Sequence, residues 1–301
     1  MTSTLEERER RFALLLLLPA LIALVVTTTA PLVYLAWTSA MRIDLSMPWL
    51  SGFAGLDNYA HMGADPRFWH SLWLTLIYTA STVVLQVVLG LALALLVGGM
   101  ARGKGLLRTL MIVPILVPPV AIGNMFKLMY NYDFGLLNQM LALVGIGPVS
   151  WLGSPSIALW SVVLVDIWHW VPFVFLILFA AVEGLPREVL EAARVDGATR
   201  WQLFARVTLP LLMPAIVVAL VFRSILAFKA FDEVFLLTGG GPGTSSELLS
   251  LHLFKVFFEQ NQLGYGALLS VLTIASVLAL LAIGRRALRV THRGSDAGAA
   301  H

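Results

Sequence analysis

The sequence predicts an all-α integral membrane protein with six transmembrane helices and both termini in the cytoplasm. Hydrophobic residues make up 59% of its 301 residues and charged residues only 12%, whereas about a quarter of the residues of a soluble domain are charged. Six apolar stretches reach the roughly 20 residues that a helix needs to cross a bilayer. They cover residues 12–40, 71–97, 106–130, 157–182, 211–237 and 263–283.

The positions of Lys and Arg set the predicted orientation, because these residues are retained on the cytoplasmic side of a membrane. They cluster before the first stretch, between the second and third, between the fourth and fifth, and after the sixth. The loops on the other side carry only Arg42, Arg67 and Lys255. Membrane topology therefore explains the formal net charge of +3, and no nucleic-acid partner is indicated.

The chain begins with a predicted cytoplasmic helix over residues 1–11, capped by Ser3 or Thr4, each of which is followed three residues later by a glutamate. The apolar run that follows is longer than the hydrophobic core of a signal peptide, so we expect it to remain as the first span. One transmembrane domain is expected over 12–284 and a disordered cytoplasmic tail over 285–301. The chain has no cysteine, which excludes disulfides, thiolate catalysis and cysteine-ligated metal sites.

Three outer loops are expected at 41–70, 131–156 and 238–262, with a short helix over 134–144. The glycine run at 239–243 superficially resembles a phosphate-binding loop, but such a loop needs G-x-x-x-x-G-K-[ST] and no Lys follows here. We interpret the run as a flexible turn. If the protein works with ATP, another chain must hydrolyse it.

The third apolar stretch is interrupted by Pro114, Pro118 and Pro119. Proline removes a backbone hydrogen bond and kinks a helix, and neighbouring helices or a cavity can satisfy the freed groups. The interruption is either a static kink or a hinge.

Charged side chains within the apolar stretches are candidates for a transport path, because each costs roughly 2.5–3.5 kcal/mol at mid-membrane unless it faces a cavity or a partner. The directions of the spans place these residues between mid-membrane and the outer face. With one polar neighbour, they are Asn124, Lys127, Asp166, Arg223, Lys229, Asp232 and Glu233.

Two pairings are predicted among these charges. Arg223 has no acid at helical spacing in its own span, so Asp166, at a similar depth, is its predicted partner on another helix. Lys229, Asp232 and Glu233 have the spacing of neighbours on one helix, so they can neutralise one another. This trio is either a structural ion cluster or part of the path.

The fourth stretch places Asp166, His169, Trp170 and Phe173 on one helical face. A carboxylate and an imidazole beside aromatic rings would suit a sugar, whose hydroxyls form hydrogen bonds while its C–H faces pack on the rings. Alternatively, the face is an aromatic stripe that packs against a neighbouring helix. No second His or Cys lies at ligand spacing from His169, so no metal site is predicted.

The polar connection over 185–210 is predicted to form an ordered helix–turn–helix. Pro186 suits the first position of a helix, Gly197 permits a sharp turn, and Thr199 with Gln202 has the spacing of a capping box. Small side chains within it would let another protein come close. These features favour a docking element over a solvated connector.

Several motifs resemble those of membrane permeases of ABC importers, and their order along nearly the whole chain is that of the family. The stretches at 53–59 and at 231–232 with 238–243 resemble the sugar-uptake branch, although Leu74 stands where relatives often carry Asn. The EAA loop of the family is matched by Glu191, Ala192, Ala193, Asp196, Gly197, Ala198, Phe204, Leu209 and Pro210.

The resemblance implies a type I ABC importer permease fold in the cell membrane, with several passes through the lipid. It implies that the EAA loop is a coupling helix in a cleft of the ATPase, with Glu191 meeting a basic residue there. The implied partners are a second homologous permease, two cytoplasmic ATPase subunits and an extracytoplasmic sugar-binding protein. No catalytic residue, cofactor or metal is expected on this chain, since ATP and Mg would belong to the ATPase subunits.

Other interpretations remain open from the sequence. An ion-coupled secondary transporter or channel would use Asp166, Arg223 and Lys229 as a relay, although no internal repeat is visible. An integral-membrane enzyme finds no converging nucleophile and base. Within the ABC family, the expected substrate is a di- or oligosaccharide such as trehalose or maltose, and a glycerol phosphate is the alternative.

Overall fold

A computed structural model describes residues 5–100 and 102–298, almost entirely as helices. The chain forms two compact units, the first from residues up to 65 with 253–274, and the second from 66–252 with the remainder of the last helix. The helices are α1 (Leu5–Ser39), α2 (Asp57–Ala64), α3 (Pro66–Gly98), α4 (Lys104–Leu116), α5 (Pro119–Met129), α6 (Leu136–Leu143), α7 (Ala158–Glu183), α8 (Arg187–Val195), α9 (Arg200–Leu203), α10 (Leu209–Phe228), α11 (Asp232–Leu237), α12 (Leu249–Phe254) and α13 (Leu263–Gly298).

The six predicted spans are present, but the third is broken. Within the described residues, five helices are long and apolar enough to cross a membrane, and counting the bent pair α4–α5 as one span gives six. The two helices of that pair meet at 92°. Pro118 has the extended backbone that precedes α5, and Pro119 is the first residue of α5, where a missing N–H does no harm.

In the first unit, α1 is one continuous helix from Leu5, so the predicted separate helix over 1–11 merges with the first span. The predicted caps Ser3 and Thr4 lie outside the described residues. Beyond α1, strands β1 (Met41–Arg42) and β2 (Gly52–Phe53) form a small antiparallel pair.

The FAGLDNY stretch at 53–59 ties α2 to the end of α1. The side-chain amide of Asn58 donates to the carbonyls of Ser39 (2.8 Å) and Met41 (2.9 Å). Arg42 forms an ion pair with Asp57 at 3.0 Å. Asn58 and Asp57 of this motif therefore stabilise the loop between α1 and α2.

In the second unit, α3, α7 and α10 pack side by side and form the core. Gly90 lets α3 and α7 approach closely, because a Cβ there would lie 2.8 Å from Cγ1 of Val174 and 3.1 Å from the backbone nitrogen of Phe175. Small residues serve the same purpose in other membrane helix pairs. The charged residues of α7 and α10 are thereby brought to a common interior.

The predicted fifth span, 211–237, is wrong in its outer part. Helix α10 ends at Phe228 and a separate helix α11 begins at Asp232. The carbonyl of Ala230, left free by this break, accepts a hydrogen bond from the hydroxyl of Ser250. A partner distant in sequence thus stabilises the interruption.

The remaining connections agree only in part with the predictions. The short helix expected over 134–144 is confirmed as α6. The glycine run is a turn held by the Ser246 hydroxyl, which donates to the Gly241 carbonyl at 2.8 Å. In the structure, α13 continues as helix to Gly298, in keeping with the lack of Pro or Gly between 285 and 293.

Candidate substrate path and coupling loop

The loop over 185–210 has the predicted helix–turn–helix form. Helix α8 ends in a Schellman motif, in which the Gly197 N–H donates to the carbonyl of Arg194 (3.1 Å) and the Ala198 N–H to that of Ala193 (3.0 Å). Gly197 has φ +82°, the left-handed conformation that glycine adopts without strain. The glycine is therefore required by the turn itself.

The start of α9 is held by the predicted capping box, which is confirmed. The Gln202 N–H donates to the Thr199 hydroxyl at 3.3 Å, and the Thr199 N–H donates to the Gln202 side-chain oxygen at 2.9 Å.

The prediction for Pro186 is wrong by one position. Pro186 is the N-cap of α8, with ψ 115°, and not its first helical residue.

The loop presents a mixed small and apolar surface. Of the predicted coupling residues, Glu191, Ala192, Asp196, Gly197 and Pro210 are exposed, and Ala193, Ala198 and Leu209 are half-buried. Two apolar side chains that the sequence analysis did not single out are also exposed, Val195 at 87% and Trp201 at 72%. Exposed apolar residues on a polar segment are the signal that could have found them.

The loop is continuous with the fifth span. Helix α9 passes through a π-helical segment, Phe204–Thr208, directly into α10, and helical backbone is kept at Leu203, Thr208 and Leu209. No irregular residue separates α9 from α10. Continuous helical backbone therefore joins α9 to the helix that carries Arg223.

Arg223 lies at the centre of a buried ion network. One guanidinium nitrogen (Nη2) lies 2.8 Å from Oδ2 of Asp166, and Nε donates to Oε1 of Gln86 at 2.6 Å. The amide of Gln86 in turn donates to Oδ2 of Asp166 at 2.8 Å. Arg223 and Asp166 are each only 1% exposed. The predicted Arg223–Asp166 pair is confirmed, and it joins α3, α7 and α10.

Gln86 completes this network and was missed by the sequence analysis. Its side-chain oxygen and nitrogen both form hydrogen bonds within the network. A buried charge pair needs such additional hydrogen bonds to offset the cost of its desolvation. A polar residue in an otherwise apolar stretch, 83–90, was the available signal. Nothing local shows which helix it faces.

The predicted Lys229–Asp232–Glu233 cluster on one helix is wrong. Lys229 lies beyond the end of α10 and the two acids lie on α11, so helical spacing does not apply. Glu233 is buried and pairs instead with His169, whose Nδ1 lies 3.1 Å from Oε1 of the acid. Lys229 and Asp232 are exposed.

The aromatic residues of α7 adjoin the network. The Arg223 guanidinium carbon lies 4.9 Å from the centre of the Trp170 ring, within cation–π range. Trp170 meets Phe173 edge-on, with ring centres 6.0 Å apart. Of the predicted face, Asp166, His169 and Trp170 therefore contact residues of α10 or α11, and the face also adjoins a cavity.

That cavity, which we call the central cavity, has a volume of about 160 Å³. Asn124 and Lys127 do not line it, and both are exposed on α5. His169 and Phe173 are not part of its lining either, but each contacts a lining residue. His169 contacts Glu233, and Phe173 contacts Trp170. The predicted path residues among its lining are Asp166, Trp170, Arg223, Lys229, Asp232 and Glu233.

Among the described residues, no group of three His, Cys, Asp or Glu side chains could hold a metal ion. Buried acids in this part of the chain are engaged by Arg223, Gln86 and His169. The arrangement supports passage or recognition of a polar solute between helices. It does not assemble a nucleophile with a base.

Apolar spans around a charged interior, with an ordered polar loop joining two of them, are typical of a membrane permease. The chain belongs to the family of binding-protein-dependent transport system inner membrane components, which it matches over residues 86–290. It is therefore a multi-pass subunit of the ABC transporter class in the cell membrane, as the EAA-like motif predicted.

Similar proteins span nearly the whole chain. It is 36% identical over 289 residues to the trehalose/maltose transport system permease protein of Thermococcus litoralis, covering 95% of this chain and 97% of that protein. It is 35% identical over 288 residues to the sulfoquinovosyl glycerol transport system permease protein of Agrobacterium fabrum, with 96% and 94% covered.

A solved structure shares the fold. A chain of the bacterial alginate ABC transporter, crystallised in complex with an alginate pentasaccharide-bound periplasmic protein, matches with a TM-score of 0.81 at 21% identity. The match covers 96% of this chain and 99% of that one. The predicted type I importer permease fold is confirmed.

Proposed function

We propose that this permease forms half of the translocation path of an ATP-driven sugar importer, coupled through residues 185–210 to a separate ATPase. The partners in this proposal are a second homologous permease, two cytoplasmic ATPase subunits that hold ATP and Mg, and an extracytoplasmic sugar-binding protein. Relatives named for trehalose/maltose and sulfoquinovosyl glycerol transport support a carbohydrate as cargo. Both termini and the loop would lie in the cytoplasm.

The single observation that carries the coupling role is the continuity between the loop and α10. Val195, Trp201 and Glu191 present a surface that can dock, and α9 runs without a break into α10. When the ATPase closes on the loop, α10 must follow. Arg223 would then move against Asp166 and Gln86, and the interior would open or close.

The central cavity supports the idea of half a path. Its volume of about 160 Å³ is below the roughly 300–1,000 Å³ of typical ligand pockets. Lys229 and Asp232 are exposed residues of its lining, and Asn124 and Lys127 are exposed on α5, whose first residue, Pro119, also lines it. In the proposal, the homologous permease covers these groups and supplies the other wall.

The charges of the central cavity favour a neutral sugar. Its lining has two cations, Arg223 and Lys229, and three carboxylates, Asp166, Asp232 and Glu233. Arg223 is already paired with Asp166, so it is not available to neutralise an anionic cargo. Trp170 offers a ring face on which sugar C–H groups pack. A di- or oligosaccharide such as trehalose or maltose therefore fits better than a glycerol phosphate.

The test is uptake of labelled sugars in cells that carry the wild-type chain, no chain, or Glu191→Lys. The panel contains trehalose, maltose, sulfoquinovosyl glycerol and glycerol phosphate. Charge reversal at the docking surface should reduce uptake of one neutral sugar to the level of the deletion, with normal amounts of protein in the membrane. Glu188→Lys, on the same helix but outside the EAA motif, is the matched control.

Two outcomes would contradict the proposal in different parts. Uptake that is lost on deletion but survives in Glu191→Lys, and that responds to an uncoupler, would replace ATP coupling with ion coupling. If glycerol phosphate or sulfoquinovosyl glycerol were the only compound taken up, the proposed coupling to the ATPase would stand. The proposal that the cargo is a neutral sugar would be contradicted.

A further inference from the structure

A second cavity, which we call the loop cavity, lies where α8 meets the ends of α3 and α7. Its volume is about 300 Å³, nearly twice that of the central cavity. Side chains of Lys104, Glu183, Arg187 and Arg194 line it. The lining therefore carries three cations and one carboxylate, unlike the central cavity, whose lining has an excess of acid.

Two of the three cations are available for a ligand. Lys104 forms an ion pair with Glu183 at 2.7 Å. Neither Arg187 nor Arg194 forms an ion pair with any other described residue. Arginine is suited to phosphate, because its planar guanidinium can donate two parallel hydrogen bonds to it.

The backbone adds to the positive character of the loop cavity. Arg187 is the first residue of α8, a helix of nine residues, and its N-cap is Pro186, whose side chain makes no capping hydrogen bond. The first N–H groups of a helix lack partners within the helix and attract anions. The N–H groups at the start of α8 lie beside Arg187, and Arg194 adds a second positive charge from the last turn of the same helix.

The rest of the lining is apolar. Leu95, Val182, Leu185, Leu190 and Leu203 contribute to the wall. A basic rim over an apolar floor, next to the ends of membrane helices, is the arrangement that recognises lipid headgroups. It equally accepts the phosphate group of a small soluble molecule.

We propose that the loop cavity binds a phosphate-bearing anion through Arg187 and Arg194. A bound phosphate would link α8 to the ends of α3 and α7. Its presence would thus set how freely the coupling loop moves relative to the spans. The inference goes beyond the transport function proposed above. Binding needs only the membrane location of the chain, whereas the effect on the loop rests on the proposed coupling role.

The test uses the full chain in nanodiscs, with two probes that separate the possible sources of phosphate. The first is a photoactivatable phosphatidylglycerol in phosphatidylcholine discs, with cross-links mapped by mass spectrometry. The second is inorganic phosphate added to discs of phosphatidylcholine alone, with hydrogen exchange of the α8 amides as the readout. Cross-links near α8 and residues 95–104 identify a headgroup, and protection of α8 by phosphate identifies a soluble ligand.

The double variant Arg187→Gln/Arg194→Gln decides whether the loop cavity is the site. It should weaken binding of whichever probe is active by about 30-fold, at roughly 1 kcal/mol per surface arginine. Both side chains are exposed, so the variant should fold. Arg206→Gln, an exposed arginine of the same loop outside the loop cavity, is the matched control and should bind like the wild type.

The inference is overturned if neither probe binds, or if the double variant and Arg206→Gln bind equally well. Neither result would bear on sugar uptake. Conversely, loss of uptake in Glu191→Lys with unchanged probe binding would leave both proposals intact, because Glu191 does not line the loop cavity.

Discussion

The coupling loop and the buried network around Arg223 hold their shapes by opposite means. The loop uses hydrogen bonds between residues three to five apart, as between Thr199 and Gln202 or Ala193 and Ala198. The network joins residues 57, 80 and 137 positions apart in sequence. The loop can therefore keep its form while it moves, whereas the network exists only when three helices are packed.

This difference suits the two proposed tasks. A docking element must survive repeated engagement with a partner, and local hydrogen bonds give it an independent structure. A path must change when helices shift, and contacts between helices respond to such a shift at once. If the comparison is right, substitutions in the network affect the whole fold and those in the loop affect only the loop.

The largest expected effect is that of Asp166→Ala. It leaves the buried Arg223 without its carboxylate, and breaking a buried pair in this way costs about 3–5 kcal/mol. The free energy of unfolding, measured by denaturant titration in mixed micelles, should fall by that amount. Asp232→Ala, which removes an exposed acid, should change it by less than about 0.5 kcal/mol. Equal effects at the two positions would show that the pair does not hold the helices together.

A smaller loss is expected for Gln86→Leu. The substitution removes the acceptor of the Arg223 Nε–H and one donor to Asp166, and an unsatisfied buried group costs about 1–3 kcal/mol. The same unfolding titration measures it, with exposed Gln139→Leu as control. In combination with Asp166→Ala, the loss should be less than the sum, since both residues belong to one network. Additive losses would contradict that coupling.

Gly197→Ala should affect the loop and leave the rest of the chain unchanged. A Cβ at this position meets no atom within 4 Å, so the effect comes from φ +82°, at about 1–2 kcal/mol for a residue with a side chain. Hydrogen exchange of residues 187–203 should accelerate while global unfolding is unchanged. Gly184→Ala, where φ is −84°, is the control. A fall in global stability would show that the loop is not independent.

The smallest effect is expected for Thr199→Ala. Loss of the capping hydroxyl should destabilise α9 by about 1 kcal/mol, seen as faster exchange at the Gln202 amide. Thr199→Ser keeps the hydroxyl and should restore slow exchange. If the alanine variant exchanged like the wild type, the capping box would contribute nothing to the order of the loop.

The sequence predicted the local contacts of the loop more completely than the long-range contacts of the network. Gly197, Thr199 and Gln202 were identified because turn and capping motifs have short, fixed spacings. The Asp166–Arg223 pair was predicted from a simple argument, that a buried charge without a local partner must find a distant one. Gln86 was missed because an uncharged polar residue in a span does not reveal which helix it faces.

The errors have a common origin. Lys229, Asp232 and Glu233 were assigned to one helix because the apolar composition continues to 237, yet the helix stops at Phe228. Pro114, Pro118 and Pro119 were recognised as an interruption, but not as a bend of 92°. In both places a partner distant in sequence stabilises the break. The Ser250 hydroxyl donates to the free carbonyl of Ala230 after α10, and α11 packs against α5 after the bend.

The sequence by itself determined the membrane class, the six apolar spans, the loop at 185–210 and the family, because length, composition and short-range spacing are local quantities. Only the tertiary structure decided where spans three and five break, that Glu233 pairs with His169, and which charged groups surround the central cavity. These depend on which helix faces meet, and close packing of α3, α7 and α10 settles that through contacts between residues far apart in the chain.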